Sequence, residues 1–341
     1  MKKKEPRPRA GKAVVIALAI LILGLGIAVL IMYLINQQPS KAGGQIDTSE
    51  DSSDKWNEGT ISYHGKQYQY NQYLKTFLFM GIDNDQPVAP AKDGISGGQS
   101  DAMFLLVQDS KTKTMSVVAL HRNSIAMLDI YDKEGEYLGQ QKGQICLQHG
   151  YGDGMNVSCQ RSAKAVSRLF YNIPIKGYIA LNMGGVPAIN DAIDGVEVEV
   201  LQDLQDQERK VALKQGQNVT LSGNEAYVYL RRRDIGQFDS ASDRLKRQQQ
   251  YILQFFSQAK KKAMSNPLIA NDLNEAMKSY MVTNMSVMDI LTEVSGYEFT
   301  QDRMYSVPGK TVMGGEFEEY HIDDDALYQM VIDVFYNEVK E

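Results

Sequence analysis

The chain opens on two blocks of opposite polarity. Residues 1–12 carry Lys2, Lys3, Lys4, Arg7, Arg9 and Lys12 against Glu5 alone, and Ala13 to Ile35 (AVVIALAILILGLGIAVLIMYLI) holds no charge. At about 1.5 Å per residue, a helix of this run crosses a hydrocarbon core of roughly 30 Å. It is longer than the apolar core of a cleaved signal peptide, so it reads as an uncleaved anchor. Apolarity on every face argues against an ordinary core helix. Residues 36–59 are mostly Ser, Asp, Glu, Gly and Lys, the pattern of a linker. The expected organisation is a cytoplasmic tail (1–12), one transmembrane helix (13–35), an extracellular linker (36–59) and an extracellular domain (60–341). The cations before the anchor set that orientation.

Beyond residue 60, short apolar runs alternate with helical spacing. ISYHGKQYQYN reads as a hairpin around His64 and Gly65. LKTFLFMGID is a buried strand ending in a carboxylate, and AMFLLVQDSKTKTMSVVALHRNS is two strands joined by a polar turn. SCQRSAKAVSRLFY (158–171) has helical periodicity. KGYIALNM is a strand, GVPAINDAI a short helix and GVEVEVL a further strand. LSGNEAYVYL suits a helix with Ser222 as N-cap. A long helix is expected from Ser240 to about Met264, capped by Ser240 or Ser242. Residues 266–341 hold two or three more helices and a strand around RMYSVPG. Strands alternating with helices predict an α/β or α+β domain, with a mixed central sheet flanked by helices.

Charge changes this picture locally. The chain has 36 basic and 42 acidic residues; without the six N-terminal cations and Glu5, the outer part holds 30 and 41, a balance of -11. Such a domain does not attract polyanions through its general field. This excludes nucleic acid as an expected partner and argues against a transcriptional regulator. Phosphate recognition would need a local basic site. YLRRRDIGQFDSASDRLKRQQQ (229–250) offers one, with six Lys or Arg residues. If 231–233 is extended, Arg231 and Arg233 share a face and Arg232 points away. Arg244 and Arg247, three apart on a helix, share another.

Three further positions stand at element ends. Asp83 follows a buried strand, Asp101 lies between a Gly-rich loop and the next strand, and Arg122 directly follows an apolar strand. Each acidic residue taken alone is most simply a turn-former or a cap. Together, two carboxylates and several guanidinium forks suit a pyrophosphate bound with a divalent cation. Cys146 and Cys159 either form a disulfide across HGYGDG or are two small buried residues.

The order GID, SDAMFLLV, ALHRN, ALNMGGV, NEAYVYLRRRD, SDRLKRQQQYIL resembles the LytR-CpsA-Psr family from about residue 74 to 260. The resemblance implies an anchored bacterial envelope protein whose outer α/β domain takes a polyprenyl-pyrophosphate-linked polysaccharide. It implies transfer of that polymer, a teichoic acid or capsule, with its phosphate to peptidoglycan, assisted by Mg²⁺ (or Mn²⁺). Carried over by position, Asp83 and Asp101 look like the metal-associated carboxylates. Arg122 matches the arginine of the S-x-P-R-D element, Arg231 and Arg233 the R-x-R, Arg244 the following arginine, and Arg247 with Gln248 the R-Q pair. These arginines and Gln248 are the implied pyrophosphate contacts. The helices around 160–170 and YILQFF are implied to line a prenyl groove. The chain departs from the pattern at Gln99 (usually Arg), Asn123 (usually Asp), ALH before Arg122 (usually S-I-P) and SASD before Arg244 (usually an Asp-Phe-Gly approach). Gln99 and Asn123 favour a second reading, a non-catalytic polyprenyl-pyrophosphate-binding assembly protein; a pyrophosphate hydrolase, in which water attacks in place of a hydroxyl, is a further alternative.

Overall fold

The structure, a computed structural model, describes residues 60–266, 268–286 and 296–339. The expected tail, anchor and linker lie outside these residues. Among the described residues no helix is long and apolar enough to cross a membrane.

Strands β1 (Thr60–Tyr63) and β2 (Lys66–Tyr70) form the expected hairpin, turning at His64 and Gly65, both with positive φ. The three apolar runs follow as β3 (Leu74–Ile82), β4 (Ser100–Asp109) and β5 (Thr114–Leu120), each antiparallel to the next. A second hairpin, β6 (Ile125–Tyr131) and β7 (Tyr137–Gln144), was not foreseen, because β7 carries few apolar residues. Helix α1 (Asn156–Leu169) precedes β8 (Gly177–Asn182), which pairs in parallel with β3. Helix α2 (Val186–Ala192) leads to β9 (Val196–Glu199), β10 (Leu204–Asp206), β11 (Val211–Leu213) and β12 (Asn218–Leu221). Next come α3 (Gly223–Arg231), α4 (Ser240–Ser265) and α5 (Ile269–Met277). The C-terminal part holds β13 (Met281–Thr283), β14 (Met304–Ser306), the hairpin β15 (Gly309–Gly314) and β16 (Phe317–Ile322), then α6 (Asp324–Phe335) and β17 (Tyr336–Glu338). The central sheet runs β13-β8-β3-β4-β5-β14, with both parallel and antiparallel neighbours.

Burial on both faces explains why β3, β4 and β5 read as unbroken apolar runs. Side chains alternate along each strand. Met103, Leu105 and Val107 cluster with Ala163, Val166 and Phe170 of the α1 region. Phe104, Leu106, Val117 and Ala119 cluster with Leu245, Ile252 and Phe256 of α4. A third cluster holds Tyr251 and Phe255 with Ile189, Val196 and Tyr229. YILQFF therefore packs on these clusters, Tyr251 buried and the rest half-buried, and does not line the cavity described below.

Two helix starts show how local chemistry sets the ends. At α3, the Glu225 carboxylate accepts from both the backbone N and the hydroxyl of Ser222, at 2.8 Å each, so Ser222 is the cap as expected. Helix α4 is preceded by Asp239, at φ 61°, and not by Ser240 or Ser242. The Asp239 carboxylate accepts from the hydroxyls of Ser242 and Thr311, which ties the helix start to β15.

Topology brings distant residues together. Because β4 runs antiparallel to β3 and β5, its start lies beside both their ends. Asp83, Asp101 and Arg122 thus meet at one end of the sheet. The loop before Asp101 is drawn tightly inward: a Cβ on Gly97 would stand 2.5 Å from both the His149 carbonyl and the Ser158 hydroxyl. Gly97→Ala should lower stability by about 2 kcal/mol in urea denaturation. An unchanged midpoint would mean that this loop yields freely.

Candidate active site

Asp101 is the hub. Its side chain is 12% exposed, Nη1 of Arg244 donates to Oδ2 at 2.8 Å, and Nη1 of Arg122 lies 2.9 Å from Oδ1. The Arg122 contact is a charge contact, since Oδ1 has no aligned donor. The other Arg122 nitrogen, Nη2, donates to Gln99 Oε1 and to Cys146 Sγ, while its Nε is buried without a partner. Arg233 adds to the charge: it and Arg122 both line the cavity described below. Burial, together with Arg122 and Arg233, lowers the pKa of Arg244 against the pull of Asp101. One carboxylate therefore balances two nearly buried guanidinium groups with a third beside them. Uncompensated buried charge is costly, and an anion relieves it.

His121 adds no charge here. Burial pushes its pKa down to about 4, and Arg244, Arg122 and Arg233 act the same way against Asp239. Its Nδ1 accepts from the Asn123 backbone N at 3.2 Å, and its ring stacks on Tyr320 with centroids 4.5 Å apart.

A second pair stands at the end of β3. Arg231 donates through Nε and Nη2 to Asp83 Oδ1 at 3.0 and 2.8 Å, and through Nη1 to the Tyr227 hydroxyl at 2.6 Å. The Tyr227 hydroxyl donates in turn to Asp85 Oδ1 at 2.6 Å. Asp85 and Tyr227 were missed in the sequence. Their signals were Asp85 within FMGIDND and Tyr227 one helical turn before Arg231. The assumed extended face at 231–233 is corrected: Arg231 ends helix α3, and the extended backbone begins at Arg232, at φ −63° and ψ 135°. Arg231 still faces Asp83, Arg233 faces the cavity and Arg232 is exposed.

Arg247 and Gln248 stand behind these groups. The Arg247 Nη2 donates to the Arg232 carbonyl, and Gln248 Nε2 donates to the Leu230 carbonyl at 3.1 Å. They hold the last carbonyls of α3 and so position Arg231 and Arg233. Arg247 is fully buried, and burial lowers its pKa to about 10. A disulfide is absent: Cys146 and Cys159 are both free and buried. The first faces Arg122, whereas the second lies 3.8 Å from His149 Nε2. Burial raises the pKa of both thiols.

A cavity of about 1380 Å³ opens beside Arg122, Arg233, Gln99 and Asn123, and Ile125, Met127, Leu147, Leu169 and Ile322 line its apolar part. Of the two helices expected at a prenyl groove, the one around 160–170 contributes Leu169. The hairpin β15–β16 walls the cavity: Tyr320 N donates to the Asn123 carbonyl, and Gln144 Nε2 to the Glu318 carbonyl, each at 2.9 Å. This hairpin lies beyond the segment of clear resemblance. Gly-Gly between alternating runs in KTVMGGEFEEYHI was its signal.

Among the described residues no group of three or more His, Cys, Asp or Glu gathers to hold a metal. Asp83 and Asp101, the expected metal carboxylates, are both paired with arginines. Asp83 Oδ2 has no hydrogen-bond partner among the described residues, whereas both oxygens of Asp101 face arginines. By donor chemistry, two such carboxylates would suit a hard cation that keeps waters and takes further oxygens from a ligand, as Mg²⁺ does.

A family model described as the LytR_cpsA_psr family matches residues 33–332. The chain belongs to that family. The match takes in the β15–β16 hairpin and most of α6. The chain is similar to the polyisoprenyl-teichoic acid–peptidoglycan teichoic acid transferase TagU of Bacillus cereus, at 29% identity over 158 residues, 46% of this chain and 44% of that protein. It is also similar to the transferase of the same description, TagV, of Bacillus subtilis, at 24% identity over 265 residues, 74% of this chain and 61% of that protein. The matches thus span about half to three fifths of these relatives. The fold is that of the Bacillus subtilis TagV crystal structure: TM-score 0.58 at 20% identity, covering 77% of this chain and 97% of that one.

Two predictions follow from the geometry of this family member's site. Asp101→Ala leaves two buried guanidinium groups unpaired and should cost about 3–5 kcal/mol. Asp83→Ala, at a side chain 40% exposed, should cost under about 1 kcal/mol. Urea denaturation of both variants checks this, and similar losses would contradict it. His121 titrates at 6.5 when unfolded and about 4 when folded, so the unfolded chain takes up the proton first. The His121 contribution to stability should therefore fall as pH drops from 6.5 to 4, by about 3 kcal/mol at most. The decline should be shallower in His121→Phe.

Proposed function

We propose that this chain is a membrane-anchored phosphotransferase that ligates a polyprenyl-pyrophosphate-linked glycopolymer, of the teichoic acid or capsule kind, to peptidoglycan. The observation that carries this reading is the excess of buried positive charge around Asp101, placed where an apolar-walled cavity begins. A pyrophosphate supplies the missing negative charge, and a prenyl chain suits the apolar walls. The uncharged run 13–35 would hold the domain at the outer face of the membrane.

Guanidinium forks bind phosphate oxygens bidentately, which a lysine does less well. Arg122, Arg233 and Arg244 would hold the non-bridging oxygens and stabilise the charge that spreads during phosphoryl transfer. The acceptor hydroxyl oxygen bonds to the phosphorus next to the sugar. The bond from that phosphorus to the bridging oxygen breaks, polyprenyl phosphate leaves with the electron pair, and the hydroxyl proton passes to a base. Asp83 and Asp101 would hold Mg²⁺ (or Mn²⁺). Bound there, the cation would neutralise phosphate charge.

One observation favours the non-catalytic reading. Asn123 puts an amide where the family usually has a carboxylate, and its backbone carbonyl is occupied by Tyr320. An amide does not accept the hydroxyl proton.

The test is transfer by the full chain from a short prenyl-pyrophosphoryl sugar to a peptidoglycan fragment with Mg²⁺, read by mass spectrometry. A coupled product is expected. Asp83→Ala and Arg233→Ala should each reduce it about 10²-fold or more. Arg232→Ala, at an exposed side chain, should leave it nearly unchanged. Retained lipid binding without product would support the assembly protein, and equal losses at all three positions would contradict the geometry.

A further inference from the structure

The rim of the cavity is apolar where it meets water. Ile235 is 85% exposed and Phe238 55%, on the segment between α3 and α4. Met313 is 59% exposed and Phe317 70%, at the tip of the β15–β16 hairpin. All four line the cavity that reaches Arg122 and Arg233. Two bonds join the segments: Asp239 N donates to Glu318 Oε1 at 2.7 Å, and the Thr311 hydroxyl donates to Asp239 Oδ1 at 2.5 Å. Single exposed apolar residues are ordinary, but a group gathered at a cavity mouth marks a partner or a membrane.

We propose that this rim enters the outer leaflet of the membrane, so that a prenyl chain passes from the bilayer into the cavity without crossing water. The inference rests on the reading that the cavity takes a polyprenyl chain. A long hydrocarbon chain strongly resists leaving lipid for water, in proportion to each exposed methylene. A cavity serving such a chain needs a mouth that meets the bilayer, and the rim supplies apolar side chains from both of its sides. Glu316, Glu318, Glu319 and Asp324 also line the cavity, as does Lys142. Carboxylates beside the apolar side chains belong at the headgroup level and disfavour anionic lipid.

The full chain, reconstituted in phosphatidylcholine vesicles, tests this. Both native cysteines are fully buried, so an environment-sensitive fluorophore reports from Ile235→Cys or Met313→Cys alone, with Lys214→Cys as the exposed reference. Labels at 235 and 313 should shift to the blue and be quenched by doxyl-labelled lipid, while the label at 214 should not. Labels at all three positions behaving alike would overturn the proposal. So would a rim label that stays in water until cell-wall fragments shield it, which would assign the rim to the acceptor. As a second measurement, Ile235→Asp with Phe317→Asp should reduce transfer from a vesicle-borne polyprenyl substrate at least tenfold more than transfer from a short, water-soluble one. Equal losses with both substrates overturn the membrane contact. Absence of transfer by the unaltered chain with either substrate counts against the proposed activity instead, and the label readout then decides the rim by itself.

Discussion

One carboxylate shared by two guanidinium groups organises this domain. Asp101 meets Arg122 from the neighbouring strand end and Arg244 from the second turn of a helix packed on the sheet. Neither arginine is held by its own strand or helix alone. Arg122 is in place because β4 runs antiparallel to β5, and Arg244 because Leu245, Ile252 and Phe256 pack α4 against Phe104, Leu106 and Val117. The same face of α4 then does a second task one turn on. Arg244, Arg247 and Gln248 stand at i, i+3 and i+4, a spacing that lines side chains on one face. Arg247 and Gln248 grip the carbonyls that end α3, which sets Arg231 and Arg233 toward the site.

This arrangement would let an acidic domain hold the proposed pyrophosphate. The overall field repels phosphate, so attraction must be local and short-ranged. Burial supplies it. Taking two or three guanidinium groups out of water with one carboxylate leaves positive charge that water screens poorly. The Asp–Arg pairs keep the forks aligned before a ligand arrives.

Much of this was legible in the sequence. The apolar runs of β3, β4 and β5 announce strands buried on both faces, and charged residues directly at their ends announce a site. The Ser222 cap and the α4 helix were readable for the same reason, since local chemistry decides them. Other features depend on tertiary context. LRRRD has no local sign that the helix ends at Arg231, because the terminus is set by Arg247 and Gln248 from another helix. β7, polar and largely exposed, lacks an apolar stripe and acquires its strand form by pairing with β6. The two cysteines had a spacing compatible with a bond, yet Cys146 turns to Arg122 and Cys159 to His149. YILQFF packs against the sheet through Ile252 and Phe256, since apolar helix positions serve a sheet as well as a ligand. One wall of the cavity beside Arg122 comes from β15–β16, in the stretch where the motif order runs out.

The departures at Gln99, His121 and Asn123 alter the surroundings of the cluster while leaving its charges in place. Gln99 accepts from Arg122 where a further arginine would have repelled it, and the neutral His121 stacks on Tyr320 beside the three arginines. The measurement that tests the central claim most directly is calorimetric binding of a short prenyl pyrophosphate to the full chain, to Arg122→Met and to Arg233→Met. If the buried excess of positive charge is what holds the ligand, each substitution weakens binding by at least about tenfold, or roughly 1.4 kcal/mol. Unchanged affinity in both variants would contradict the account and place the anion elsewhere.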